Sequence, residues 1–251
     1  MRLLLLSLFF VSSYFFPVSS VFSHEITEIV TEHFPPYQIQ KGDGVEGISI
    51  DIVNKLHKRL HIEKPINVYP WARAYKIALS KPNTLIFSMT YTQQRRGLFQ
   101  WIGFLPILDE ISFWTLNSVK REGPLNWANV QGLTSAIPRQ DSNLPLLLSK
   151  GLIINSNLYL VNSFEQAIDM LVKERVDYIV AGKSSLRYQI LTLGYSLAEF
   201  NVEPTRTLTK QRLGFAFNLE SEQALVEKYR VAFKAMEKDG SLNDIMTKWL
   251  Y

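Results

Sequence analysis

The 251-residue chain contains no cysteine, which excludes disulfide bonds, thiol chemistry and a cysteine-linked lipid anchor. It also has little excess of either charge, because 27 Lys and Arg residues stand against 23 Asp and Glu residues. A formal net charge of +4 is too small to indicate a nucleic-acid partner. The fold must therefore be held by packing alone, and the chain is long enough to build a large core.

Long apolar runs are scarce, and the first one lies at the start of the chain. Residues 3–11 are apolar apart from Ser7, and small or β-branched residues lie near Ser23. The run is too short to span a bilayer and Pro17 interrupts its continuation, which disfavours an uncleaved membrane anchor. The pattern resembles a secretory signal peptide over residues 1–23, cut before His24.

Short strands alternate with amphipathic helices in the first part of the mature chain. β-Branched runs predict strands, and apolar residues at helical spacing predict helices, in the order strand, helix, strand, helix, strand: 25–30, 48–60, 66–69, 71–80 and 84–90. This βαβαβ order predicts a parallel sheet covered by helices. Residues 107–116 then form an extended segment that leaves this sheet.

A second set of strands and helices alternates in the same way. Its predicted elements are, in order, a strand, a helix, a strand, a helix with the capping-box sequence "SFEQ", and a strand: 133–138, from 143, 157–161, from 164, and 176–182. Residues 212–218 are again extended, and two helices separated by Gly240 close the chain. Two α/β units joined by two crossings predict a two-lobed α/β protein with a ligand cleft between parallel-sheet lobes.

Several fragments of the sequence, taken in their order along the chain, resemble those of one protein family. The mature chain resembles the bacterial extracellular solute-binding proteins of family 3, the polar amino-acid type of periplasmic receptor in ABC importers. The resemblance is carried by these stretches: "FPPYQ", "GISIDIVNKL", "PWARAYKIAL", "MTYTQQRRGLFQWIGF", "VNSFEQAIDMLVKERVDYIVAG" and "AFKAMEKDGSLNDIMTKWL". It implies the type II periplasmic binding fold, with the first lobe formed by residues 24–109 and 215–251 and the second lobe by residues 110–214.

The function that this resemblance implies is capture of a small polar or anionic ligand by closure of the two lobes. The protein is expected to be a periplasmic monomer without cofactor, metal or reaction, working with ABC importer membrane subunits or with a membrane sensor. An alternative on the same scaffold is a lyase of the cyclohexadienyl dehydratase type. That reaction needs an acid or base in the cleft, and the predicted cleft segments show Asp141 but no paired carboxylates.

Arg95 is the leading candidate for a ligand contact. A guanidinium at a strand end and a helix N-terminus forms an anion site, since it can hold a carboxylate with two parallel hydrogen bonds. The resemblance implies the same role, because the family's carboxylate-binding arginine follows a threonine by three residues, as Arg95 follows Thr92. We expect Arg95 to be solvated in the empty cleft, and Arg96 to be an ordinary surface residue.

Three aromatic residues are expected at the mouth of the cleft. Phe34 and Tyr37 follow the first strand, and Trp71 follows the second. The resemblance implies that such rings enclose the apolar or cationic part of the ligand. Ordinary core packing is the alternative for all three.

Polar groups are expected on both sides of the cleft. Ser88 and Thr90 lie at the end of the third strand and offer hydroxyl and backbone groups. The resemblance places Gln140 and Asp141 across the cleft, where the family presents backbone N–H groups to the carboxylate.

Position 182 departs from the family pattern. Amino-acid binders of the family often hold the ligand's ammonium with an aspartate at the position that is Gly182 here, and Lys183 follows. With Arg95, Lys183 and Arg139 all positive, an anion without a free amine is at least as good a candidate ligand as a standard amino acid. His57 and His61 share a helix face, but no third ligand accompanies them, so no metal site is predicted.

Overall fold

The computed structural model describes residues 25–204 and 211–250. The predicted signal peptide lies outside the described residues. Within the described ranges, no helix is both long enough and apolar enough to cross a membrane.

The elements follow the chain in three groups. The first group is β1 (Glu28–Thr31), β2 (Ile39–Lys41), β3 (Gly44–Glu46), α1 (Ile48–Leu60), β4 (Ile66–Val68), α2 (Trp71–Ser80), β5 (Thr84–Thr90), α3 (Gln93–Arg96) and β6 (Phe99–Asp109). The second is β7 (Ile111–Leu116), β8 (Ser135–Pro138), α4 (Leu144–Ser149), β9 (Leu158–Val161), α5 (Phe164–Val172), β10 (Ile179–Gly182), α6 (Lys183–Thr192) and β11 (Phe200–Pro204). The third is β12 (Gln211–Asn218), α7 (Gln223–Lys238) and α8 (Ser241–Leu250).

The first lobe is built on a five-stranded sheet in the order β4-β1-β5-β12-β6. Strand β1 pairs in parallel with β4 and β5, as the βαβαβ pattern predicts, and β12 runs antiparallel to both β5 and β6. Apolar residues of α1, α7 and α8 form one core cluster with the sheet, and those of α2 form another. The carboxyl ends of the parallel strands therefore open on one edge, where β1 and β5 deliver their following loops.

The second lobe combines a parallel pair with antiparallel strands. Strands β8 and β9 pair in parallel, while β10 and β11 flank β7 in antiparallel fashion. A bridge between Ser135 and Tyr178 connects the pair to the other three strands. The first-lobe sheet is thus mixed, whereas the second lobe keeps its parallel pair and its three antiparallel strands in separate sheets.

The chain passes from the first lobe to the second between β6 and β7, through Glu110. All of β12 pairs with strands of the first lobe, beginning at Gln211 opposite Asp109, so the predicted boundary at residues 214 and 215 falls inside this strand. The described part of the second lobe ends with β11 at Pro204, and residues 205–210 lie outside the described residues.

Three elements are not predicted by the sequence pattern: helix α6, strand β11 and the β2–β3 hairpin. The buried face of α6 carries Ser185 and Gln189 beside Leu186 and Ile190. Its apolar stripe is therefore only two residues long, which is too weak to predict an amphipathic helix.

Candidate functional site

A small pocket lies between the two lobes. Its walls include Phe34, Thr90 and Asp109 on the side of the first lobe, and Asp141, Gly182 and Ser185 on the side of the second. The space open to the centre of a water-sized molecule is only about 30 Å³. The lobes are therefore closed on each other, and an amino-acid-sized ligand could enter only from a more open arrangement.

Arg95 lies beside this pocket and is held from three directions. Thr92 caps α3 by accepting a hydrogen bond from the Arg95 backbone N–H at 3.1 Å. The guanidinium Nη1 donates to the carbonyl oxygen of Thr90 at 3.3 Å, and Nη2 donates to that of Gln140 at 2.7 Å. The guanidinium carbon lies 5.2 Å from the ring centre of Trp71 and 5.0 Å from that of Tyr75.

The expectation that Arg95 is solvated is wrong, because only 6% of the residue is exposed. Closure of the lobes covers a side chain that the sequence places at an open strand end. Burial lowers the pKa of the guanidinium from its ordinary value, while Asp141, Tyr75 and Glu32 oppose that change. Arg96 is exposed, as expected.

The carbonyl oxygen of Gln140 joins the two lobes. It accepts from Arg95 and also from Nε1 of Trp71 at 2.9 Å, and both donors belong to the first lobe. Gln140 adopts a left-handed backbone conformation with φ of 64°, and the neighbouring loop contains Asp141. A second contact between the lobes joins Nε2 of His33 to a carboxylate oxygen of Glu165 at 3.4 Å.

Phe34 and Tyr37 lie in a loop that is docked on the N-terminus of α1. The backbone N–H groups of Ile48 and Ser49 donate to the carbonyl oxygens of Pro36 and Tyr37. Phe34 lines the pocket and its ring centre is 5.3 Å from that of Tyr37, which is itself fully buried. Tyr37 thus packs in the core and supports Phe34 rather than lining the pocket.

The docking of this loop needs a glycine at position 47. Gly47 has φ of 129°, and a Cβ atom there would lie 2.5 Å from the carbonyl oxygen of Tyr37. No other residue adopts that conformation without strain, and a side chain would push the loop away.

The remaining predicted residues divide between the pocket wall and its surroundings. Thr90 and Asp141 line the pocket. Ser88 lies behind it, buried, with its hydroxyl 2.7 Å from that of Ser49. Lys183 is exposed at the start of α6 and is not among the residues that line the pocket. Lys183 therefore does not add positive charge to the pocket wall. Arg139 is also exposed, and its guanidinium donates a hydrogen bond to the side-chain oxygen of Asn162.

Acidic groups surround the pocket instead. Burial raises the pKa of Glu32 well above its usual range, and the nearby carboxylates of Asp141 and Glu165 add to this effect. Burial also raises the pKa of Asp141, against a hydrogen bond from the Asn143 N–H at 2.7 Å and the charge of Arg95. The prediction of no paired carboxylates in the cleft is therefore wrong, because the fold brings Asp109 and Asp141 into the wall of the same pocket.

Asp109 is the second acidic residue in the wall of the pocket. It ends β6, lines the pocket and is only 5% exposed. One carboxylate oxygen accepts from the Ser184 backbone N–H at 3.1 Å. Burial raises the pKa of Asp109, and hydrogen bonds from the Ser184 backbone N–H, the Ser184 hydroxyl and the Glu110 backbone N–H oppose the rise.

Sequence reasoning placed Asp109 at a crossing but not in the site. The usable signal for Glu32 was its place directly after β1, at the carboxyl end of a parallel strand. Within the described residues, no group of three or more potential metal ligands comes together.

No family model and no curated protein matches the sequence. Solved structures do match the fold. An ancestral arginine-binding protein bound to arginine is 17% identical, with a TM-score of 0.76 over 89% of this chain and 97% of that one. The chain has the fold of the two-lobed solute-binding proteins.

Two other similar structures differ in role. A histidine kinase sensor domain with similarity to periplasmic binding proteins is 16% identical, with a TM-score of 0.76 over 90% of this chain and 97% of that one. A substrate-binding protein of an ABC uptake transporter from Streptococcus pneumoniae with bound histidine is 21% identical, with a TM-score of 0.73 over 88% and 91% of the two chains. At these identities the likeness is one of fold, which confirms the predicted two-lobed architecture.

Proposed function

We propose that this protein is a periplasmic solute-binding protein that captures a small polar, amino-acid-like ligand by closing its lobes, and that it serves an ABC importer. One observation carries the proposal. The Gln140 carbonyl of the second lobe accepts hydrogen bonds from Trp71 and Arg95 of the first lobe, at the edge of a pocket that both lobes line. A ligand enclosed there would be covered by both lobes, and the closed arrangement would distinguish the ligand-bound protein from the free one.

The pocket supplies groups suited to a zwitterion. Arg95 has five N–H groups, of which two donate to backbone carbonyls, so the guanidinium keeps donors for a carboxylate. Phe34 gives the pocket an apolar wall, and Asp109 and Asp141 give it negative charge. The solved structures with this fold include proteins bound to arginine and to histidine, which supports a ligand of that class.

The test uses calorimetry and solution scattering on the mature protein. The probes are the standard amino acids and, for each, the acid with the same skeleton but no amine. At least one probe should bind with micromolar or better affinity and reduce the radius of gyration, because closure brings the lobes together. If no probe in either set binds, or if a saturating bound probe leaves the scattering profile unchanged, the proposal is wrong.

A sensing role is the second candidate, since one structure with this fold is a kinase sensor domain. Deletion of the gene separates the two roles. A transport receptor is needed for uptake of its ligand, whereas a sensor subunit is needed for the response to the ligand while uptake continues. Incubation with prephenate, followed by product analysis, tests the lyase alternative, which the two pocket carboxylates of Asp109 and Asp141 keep relevant.

A further inference from the structure

We infer that the carboxylate of Asp109 binds the ligand's protonated amine, and that the ligand is therefore an amino acid or related amine rather than an amine-free acid. The inference rests on the proposed function and names the chemical class of the ligand. It replaces the expectation, drawn from Gly182, that no carboxylate is available for an ammonium group.

The first argument is steric. A Cβ atom built on Gly182 would lie 2.2 Å from Oδ2 and 2.8 Å from Cγ of Asp109. The carboxylate of Asp109 thus fills the space where any side chain at position 182 would begin. Gly182 has φ of −61°, which every residue can adopt, so its backbone conformation does not require glycine. The glycine makes room for Asp109.

The second argument concerns charge. Only 5% of Asp109 is exposed, and it forms no ion pair with any residue in the described ranges. Buried carboxylates are ordinarily paired with a cation, because an isolated buried charge is costly. Since Asp109 faces the pocket, a ligand cation bound there would supply the missing partner.

The third argument is the balance of charge around the pocket. Asp109 and Asp141 both line the pocket, and the charge of Arg95 lowers the pKa of Asp141 against the effect of burial. An amine-free anion held by Arg95 would be repelled by ionised carboxylates and would raise their pKa further. A ligand with a protonated amine removes that repulsion and favours the ionised form of both carboxylates, which favours a zwitterionic or cationic molecule.

A purely structural role for Asp109 is the competing explanation. Its carboxylate accepts from the Ser184 N–H at the first turn of α6, where a negative charge is favourable. The Ser184 hydroxyl and the Glu110 backbone N–H also hydrogen-bond to this carboxylate, so three donors stabilise its charge without supplying a cation. Asp109→Asn separates the two roles, because the amide oxygen can still accept from Ser184 while the negative charge is lost.

The experiment moves the carboxylate from one position to the other. In the wild-type protein, an amino acid should bind at least about 30-fold more tightly than its amine-free analogue, which corresponds to about 2 kcal/mol. Asp109→Asn should weaken amino-acid binding by at least about tenfold and leave the analogue unchanged or tighter. The double variant Asp109→Ala, Gly182→Asp returns a carboxylate to the same space and should recover most of the preference for the amine.

Gly182→Asp alone serves as the steric control, since its new side chain would collide with Asp109 and should lower the melting temperature. Thermal melts of every variant show which ones fold. If the wild-type protein binds an amine-free acid as tightly as the matching amino acid, the inference is wrong whatever the variants do. It is also wrong if folded Asp109→Asn keeps the full preference for the amine. In both cases the proposed function stands, whereas a protein that binds neither set refutes the function itself.

Discussion

Replacement of Arg95 by alanine probes both the closed form and the ligand contact. In the structure this guanidinium donates to the carbonyls of Thr90, in its own lobe, and Gln140, in the other lobe. Only 6% of the residue is exposed, and its guanidinium carbon lies near the rings of Trp71 and Tyr75. The variant therefore loses two hydrogen bonds from a charged donor and two ring contacts in one step.

The expected loss of stability follows from those contacts. A hydrogen bond to a charged group contributes about 1.5–3 kcal/mol, and a cation–π contact of this kind about 0.5–2 kcal/mol. The buried charge costs desolvation energy that the alanine variant recovers, so the net loss should be about 2–4 kcal/mol. For a protein of this size that lowers the melting temperature by about 5–15 °C.

Ligand affinity should fall as well. Removal of one partner from a buried, hydrogen-bonded charge pair typically costs about 2–5 kcal/mol of binding. That equals a loss of about 30-fold to several thousand-fold in affinity for an amino-acid probe that the wild-type protein binds. The contact with Gln140 would be lost too, so the ligand-free variant should show a larger radius of gyration in scattering.

Arg96→Ala is the matched control, because it removes the same charge one residue later from an exposed position. Its melting temperature and affinity should stay close to those of the wild type. Equal stability of the two variants would refute the inferred burial of Arg95. A folded Arg95→Ala protein with unchanged affinity would refute its role as a ligand contact.

Two further predictions concern stability. The pKa of Glu32 is raised above its ordinary value near 4.5, so the folded protein holds this proton more strongly than the unfolded chain, and its contribution to stability falls as pH rises from about 4.5 through the raised pKa. Urea titrations at several pH values should show a smaller fall in stability for Glu32→Gln than for the wild type. His57, whose lowered pKa acts with the opposite sign, is present in both proteins and does not affect the comparison. If stability depends on pH in the same way in both proteins, the raised pKa of Glu32 is contradicted. Gly47→Ala should lower the free energy of unfolding by about 1–3 kcal/mol or more, from backbone strain and the contact with Tyr37. Gly132→Ala, where a Cβ meets nothing within 4 Å, is the control, and equal losses for both variants would contradict the argument.

The periodic parts of the fold could be predicted from the sequence because burial imposes the period. The strand over residues 84–90 is buried along nearly its whole length, and α1 buries the face that carries Ile52, Val53 and Leu56. Helix α6 was missed for the opposite reason. It buries Ser185 and Gln189, whose polar side chains bond each other at 3.0 Å, so a polar pair replaces the apolar stripe.

The site was only partly predictable, because its geometry depends on which segments meet when the lobes close. Phe34, Thr90 and Asp141 follow strand ends, and the structure places all three in the pocket wall. Arg95 follows one too, but its burial depends on Gln140, a residue 45 positions later. The other lobe therefore decides how exposed a side chain at a lobe edge is. A local sequence pattern does not contain that information.

The glycine at position 182 shows why an absent side chain is by itself weak evidence about the ligand. Read along the chain, Gly182 removes a carboxylate from the place where similar proteins have one. In three dimensions, β10 runs antiparallel to β7 and pairs Gly182 with Ile111, two residues after Asp109. The first crossing thus delivers the Asp109 carboxylate to the space that Gly182 leaves free. A binding site needs a charge at a point in space, and either strand can supply it. A substitution at one position is therefore evidence about ligand chemistry only after its neighbours across the sheet are known.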